Sequence, residues 1–136
     1  MTAAALAATH RAAFTHTRPW TAAELSSLLT QRGVILCGDA RSFVIARVIA
    51  DEAEILTLAT HPDFQRQGRA CAVLDEFLGT CKSLAVTSLF LEVAENNQPA
   101  KALYLKTGFE KVGHRPQYYD GTNGAKIGAD VLRLTF

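Results

Sequence analysis

A chain of 136 residues, 49% hydrophobic and 20% charged, suits one folded domain burying roughly two thirds of its unfolded surface. A formal charge of +1 argues against a nucleic-acid partner, and no apolar run approaches the ~20 residues of a membrane span. Cys37, Cys71 and Cys81 lack CxxC spacing and the four histidines are scattered, so reduced thiols in a cytosol and no metal site are expected.

Residues 3–31 have helical character. The alanine-rich start lacks a basic n-region and is interrupted by His10 and Arg11, so no signal peptide is expected. The pattern breaks at Thr17-Arg18-Pro19-Trp20. It resumes behind Thr21, an N-cap with Glu24 three residues on, ahead of Leu25, Leu28 and Leu29. Gly33 ends it. Residues 34–37, 42–50 and 54–60 then read as three antiparallel strands joined by short hairpins, with β-branched residues concentrated in them.

The stretch 61–70 is a short polar turn. Behind it Ala70, Val73, Leu74, Phe77, Leu78 and Cys81 recur at helical spacing, which predicts a helix to about residue 83. Residues 86–93 form an apolar strand expected to be covered on both faces, and one residue, Glu92, breaks its pattern. Asn97 caps another helix, with Pro99 in its first turn and Ala100, Leu103 and Tyr104 on one face; Gly108 stops it. Strands 109–113 and 127–136 close the chain around a turn-rich segment, 118–124. The order is α-α-β-β-β-α-β-α-β-β. The strand–helix–strand unit at 54–93 implies a right-handed parallel crossover. These features predict a single α/β (α+β mixed) domain over 1–136, its mixed sheet flanked by helices on both faces.

Gln65-x-x-Gly68-x-Ala70 opens a helix directly after a strand. Glycine lets backbone approach a ligand, and a helix start offers unpaired N–H groups with partial positive charge. Two readings stand: an anion cradle with Arg66 and Arg69 at its mouth, or a glycine needed only by the turn. The spacing disfavours a P-loop, and the three glycines of a dinucleotide fingerprint are not there. Glu92, inside an apolar strand, gives up solvation and is a candidate general base near neutrality, set against a glutamate that points to solvent or pairs with Arg or Lys. Tyr104 could face the same cleft, or serve as an amphipathic core aromatic. Cys71 and Trp20 read as packing residues and His61 as a strand-end turn residue. Tyr118 and Tyr119 could rim a peptide groove.

At these residues the chain resembles the GNAT superfamily of N-acetyltransferases. The 61–70 segment resembles its acetyl-CoA signature, (Q/R)-x-x-G-x-(G/A). Leu91-Glu92-Val93, Asn97, Ala102-Leu103-Tyr104 and Thr107-Gly108-Phe109-Glu110 are similar to the RimI-type ribosomal-protein alanine N-acetyltransferases, as are Pro19-Trp20-Thr21 and the tyrosine pair. The resemblance implies a GNAT-like fold and acetyl-CoA as cofactor. Leu58, Ala59 and Thr60 would hold the acetyl and pantetheine arm through backbone groups. Arg66, Gln67, Gly68, Arg69, Ala70 and Cys71 would cradle the pyrophosphate, and Asn97 would touch the cofactor. Glu92 would act as general base and Tyr104 as general acid, with direct attack of the amine on the thioester. The second glycine of the signature is here Ala70, and the acidic pair before the family's last strand is missing from 121–129. The implied acceptor is a peptidyl N-terminal α-amine, an N-terminal alanine of a ribosomal protein of the bS18 kind. A small amine, a lysine side chain, a non-catalytic CoA-binding module and a nucleotide-phosphate binder are the alternatives.

Overall fold

The computed structural model describes residues 2–14, 19–120 and 125–136. Thr17 and Arg18 of the expected helix break, and 121–124 of the turn-rich segment, lie outside them. Helix α1 (Ala3–Ala13) starts where the Thr2 hydroxyl accepts from the Ala5 N–H. Helix α2 (Ala22–Leu29) starts at the expected capping box. There the Thr21 hydroxyl accepts from the Glu24 N–H, and the Glu24 carboxylate accepts from the Thr21 N–H, each at 3.1 Å.

Strands β1 (Val34–Asp39), β2 (Ser42–Ile49) and β3 (Glu52–Thr60) form two antiparallel hairpins. A single 3-10 turn, Pro62–Phe64, leads to helix α3 (Arg69–Ser83), and the chain returns as β4 (Ser88–Ala94), parallel to β3. Helix α4 (Gln98–Thr107), β5 (Glu110–Asp120) and β6 (Lys126–Thr135) complete a six-stranded sheet of order β1-β2-β3-β4-β6-β5.

Period-two alternation sorts the strand residues onto two faces. Val44, Ala46, Ala53, Ile55, Leu89, Leu91 and Val93 pack with Val73, Leu74, Phe77 and Cys81 of α3 and Tyr104 of α4. Phe43, Ile45 and Ala59 pack on the other face with Leu6 of α1 and Leu25 of α2. Helices thus cover both faces, as the apolar patterning predicts.

Two features of the sheet differ from the sequence reading beyond shifts of a residue or two at strand ends. Strand β4 is covered on one face only: Leu89, Leu91 and Val93 are buried, while Ser88, Phe90 and Glu92 are half-buried. The reason lies in the neighbouring strands. Register places Arg47, Glu54, Phe90, Arg133 and Glu110 in one row across the sheet, so charged side chains rather than a helix solvate the surface around Phe90. Strand β5 also runs on to Asp120, where the sequence reading ended it at Gly113 and began a turn at Tyr118. Pro116 hides that continuation, since proline in a strand ordinarily signals an edge or a bulge.

Candidate active site

The parallel ladder between β3 and β4 is short. It pairs Glu52 with Ser88 through Ile55 with Leu91 and goes no further, although β3 continues to Thr60 and β4 to Ala94. Past that point β3 stays with β2, and β4 stays with β6. The two central strands part there. One step on β2, Ile45 to Ala46, answers two on β3, which makes Leu56 the extra residue of a bulge at the parting. The cleft therefore exposes backbone of β3 beyond Ile55 that has no strand partner on that side. Of the residues expected there, Leu58 leans on the α3 layer, and Ala59 is buried in the α1–α2 layer. The Thr60 hydroxyl bonds Ser42 Oγ at 2.8 Å. Only their backbone groups remain for a ligand.

At one end of this cleft stands the start of α3. Gly68 is its N-cap, in the left-handed region at φ 75°, and no side chain caps the helix. The first helical bond runs from the Ala72 N–H to the Gly68 carbonyl, so the amides of Arg69, Ala70 and Cys71 precede it. A Cβ built on Gly68 meets nothing within 4 Å, so the space before the helix is open. Backbone amides, a helix dipole and open space together fit a phosphate. Arg66, the residue two before Gly68, also adopts φ 63°, a strained value for a side-chain-bearing residue that no sequence pattern announces. The turn is braced by its own polar groups. Gln65 Nε2 donates to the Thr60 carbonyl at 3.1 Å, Gln67 Nε2 to the Asp63 carbonyl at 3.4 Å, and the Arg69 guanidinium stacks over Phe64 at 4.9 Å.

Glu92 is the first residue of β4 past the parting. Because Leu91 and Val93 face α3, Glu92 points to the α1–α2 side of the sheet. Its side chain is 16% exposed and is not alone: Arg115 Nε lies 3.0 Å from Oε1, and the Tyr118 hydroxyl donates to the same carboxylate. The Arg115 guanidinium sits 5.0 Å above the Tyr118 ring. Burial, and then the neighbouring Glu92 charge, push the Tyr118 hydroxyl above its ordinary range.

Arg115 and Tyr118 are three residues apart and in a regular strand would point to opposite faces. They share one because β5 carries a wide bulge. Arg115 pairs with Ala129 and Tyr119 with Ile127, leaving two extra residues between them, and Gln117 takes φ 54° to absorb them. The sequence reading placed a tyrosine rim here but missed Arg115 and the contact to Glu92. Pro116 was the one available signal.

On the opposite face, Tyr104 is 5% exposed and meets Phe109 edge-on at 5.5 Å. Glu92 and Tyr104 therefore flank β4 from its two sides rather than sharing one wall. Asn97 caps α4 by accepting from the Ala100 N–H at 3.3 Å. Helix α4 is anchored by a charged cluster the sequence reading did not find. Asp130 of β6, its side chain 4% exposed, meets Lys101 Nζ at 2.8 Å, His114 Nδ1 at 3.0 Å and Lys111 Nζ at 3.3 Å. Lys101 does most to hold the Asp130 carboxyl down, at about 2, against the opposing effect of burial, with His114 and Lys111 adding to it. An aspartate inside the largely apolar run 127–132 was the sequence signal for this anchor.

His10 is a second buried polar residue that composition did not reveal. Its ring, 2% exposed, lies against Phe14 at 4.1 Å and Trp20 at 5.4 Å, so Trp20 does pack between helices. The Trp20 N–H donates to Nδ1, which leaves Nε2 to bond Thr57 Oγ1 at 3.1 Å, just past the Leu56 bulge. Among the described residues no helix is long and apolar enough to cross a membrane.

A parallel βαβ unit, strands that part beside an acidic side chain and an uncapped glycine-led helix together form the candidate site. The chain matches the acetyltransferase (GNAT) family over residues 7–109. It is 37% identical over 100 residues to the [ribosomal protein bS18]-alanine N-acetyltransferase of Escherichia coli, an alignment covering 74% of this chain and 64% of that protein. The alignment thus spans less than two thirds of that relative's length. The crystal structure of the Escherichia coli ribosomal-protein-S18-alanine N-acetyltransferase superposes with a TM-score of 0.87 at 29% identity, over 98% of this chain and 86% of the other. Arabidopsis thaliana NAA60 in complex with acetyl-CoA shares the fold, at 18% identity and TM-score 0.81, over 96% of this chain and 91% of that one. The chain belongs to the GNAT family of acetyltransferases.

Proposed function

We propose that this chain transfers the acetyl group of acetyl-CoA to a peptidyl N-terminal α-amine, its acceptor being the N-terminal alanine of a ribosomal protein of the bS18 kind. The observation that carries the reading is the parting of β3 and β4 after Ile55 and Leu91, directly before Glu92. It offers a slot with unpaired strand backbone on one side and a carboxylate on the other. The similarity to an enzyme named for bS18 alanine supports the acceptor class. Three free cysteines suit a cytosolic setting for the reaction.

Acetyl-CoA supplies an activated thioester; the work of the protein is to hold it and manage protons. The amides of Arg69, Ala70 and Cys71, with Gly68 giving them room and Arg66 and Gln67 beside them, would bind the pyrophosphate. Backbone of Leu58, Ala59 and Thr60 would hold the acyl end, with Asn97 against the arm. An α-amine of pKa ~7.7–8.0 is largely protonated at neutral pH, and Glu92, directly or through water, would accept its proton. Tyr104, from the α4 side, would give a proton to the departing thiolate. Attack is direct, so no side-chain nucleophile is required.

Release of free thiol from acetyl-CoA, followed with a peptide bearing a free N-terminal alanine, tests this. Release with that peptide and none with its N-acetylated form is the expected result. Turnover confined to an internal lysine or a small amine would overturn the acceptor, and CoA binding with no turnover on any amine would overturn the enzyme.

A further inference from the structure

The bulge in β5 is a costly construction at a site the mechanism above does not explain. A ladder running straight from Arg115 to Tyr119 would need neither the two extra residues nor the left-handed Gln117. What the bulge achieves is local: it turns Tyr118 onto the face that already carries Arg115, and both side chains converge on Glu92. Arg115 must cross β6 to get there, and its partner across the ladder is Ala129, whose methyl group leaves the guanidinium a path. Val131, which faces Glu92, pairs with Gly113 on the β5 side, so no second side chain crowds that route.

We infer that Arg115 is a positioning residue for the base: its guanidinium, stacked on Tyr118, fixes the plane of the Glu92 carboxylate toward the arriving amine. The inference rests on Glu92 being the general base. A carboxylate held at one oxygen by Nε and also accepting from a phenol has lost rotation about its last bond, which a base acting at fixed geometry needs. The fixed positive charge also disfavours a second cation beside it. An incoming ammonium is thereby pushed toward its neutral, nucleophilic form. Glu54 is the other carboxylate within electrostatic range of Tyr118; it lies on β3, in the charged row around Phe90, and does not pair with Arg115 among the described residues. Lys101, Lys111, His114 and Asp130 belong to the α4 side of the sheet and form their own cluster.

The test is a cycle of Arg115→Ala and Glu92→Gln, read as kcat, acceptor KM and acetyl-CoA affinity, with and without added guanidinium ion. Loss of one charge-assisted contact predicts a fall in kcat of about tenfold to a hundredfold for Arg115→Ala, with acetyl-CoA affinity unchanged. In the Glu92→Gln background the same change should cost almost nothing. Free guanidinium should restore part of the Arg115→Ala rate and none of the Glu92→Gln rate. Arg115 is 57% exposed, so the variant has little packing to lose, and Arg115→Lys checks this by retaining charge without the fork. Equal losses in both backgrounds with no rescue would overturn the inference. An undiminished Glu92→Gln enzyme would instead remove the general-base reading, and this inference with it.

Discussion

Replacing Glu92 by glutamine keeps the length of the side chain and an oxygen for Arg115 but removes the proton acceptor. Turnover at pH 7 should fall by about 10²- to 10⁴-fold, the usual worth of a general base. The loss should shrink above pH ~8–9, where the acceptor amine deprotonates unaided. A pH–rate series on native and variant enzyme checks this, and a deficit constant across pH would show that Glu92 is not the base. Tyr104→Phe keeps the ring that packs on Phe109 and removes the hydroxyl. Thiol release should slow by about tenfold or more while acetyl-CoA affinity holds, since a group that acts only on the leaving thiolate lowers kcat without touching binding. Lost affinity would make Tyr104 a packing residue. At this scale the sequence marked Glu92, which breaks the pattern of an apolar strand, and placed Tyr104 on a capped helix, where the fold buries it against Phe109. It did not mark Arg115, because its partner is two strands away and the bulge that brings Tyr118 to the same face contains a proline.

Among the elements, the start of α3 and the docking of α4 make separable demands. Gly68 holds φ 75° with empty space before it, so Gly68→Ala adds a strain of about 1 kcal/mol and a methyl group where a phosphate would lie. Titration calorimetry with CoA should show affinity reduced at least about tenfold, far beyond what that strain alone does to the melting temperature. Unchanged affinity would return the glycine to a purely conformational role. Helix α4 buries little besides Tyr104 and depends on the Asp130 cluster. A carboxyl held at about 2 in the fold, against ~3.9 in the unfolded chain, stabilises fully above about pH 4 and loses that contribution as pH falls toward 2. Asp130→Asn should therefore cost about 2–3 kcal/mol at pH 7 and progressively less in melts approaching pH 2. A cost independent of pH would mean the pairs are not its source. Asp39 is also held at about 2, by Arg41, yet the pair is half exposed, so solvent screening leaves it a minor contributor. Element types and order were legible because caps and breakers are local: Thr21 with Glu24, Asn97 with Pro99, and Gly68 after a strand. The extent of β5 was not, because its pairing to β6 is set across the sheet and overrides Pro116.

For the whole molecule, the two-layer packing follows from alternation along β2 and β3, and a reader of the sequence could anticipate helices on both faces. The register that ends the β3–β4 ladder at Ile55 and Leu91 could not be read. It emerges from the Leu56 bulge on one side and from β4's full pairing with β6 on the other. That single geometric event brings an uncapped helix start, an unpaired strand edge and Glu92 to one cleft, with Tyr104 on the opposite side of β4. On the proposed reading, that cleft serves acetyl transfer to a peptide N-terminus. The most direct test is mass spectrometry of N-terminal acetylation across the host's ribosomal proteins, with and without this chain. Loss of the acetyl group from one alanine-starting ribosomal protein, restored by the native chain and not by Glu92→Gln, is the predicted result. Unaltered ribosomal N-termini, with acetyl groups missing instead from lysine side chains or small amines, would contradict it.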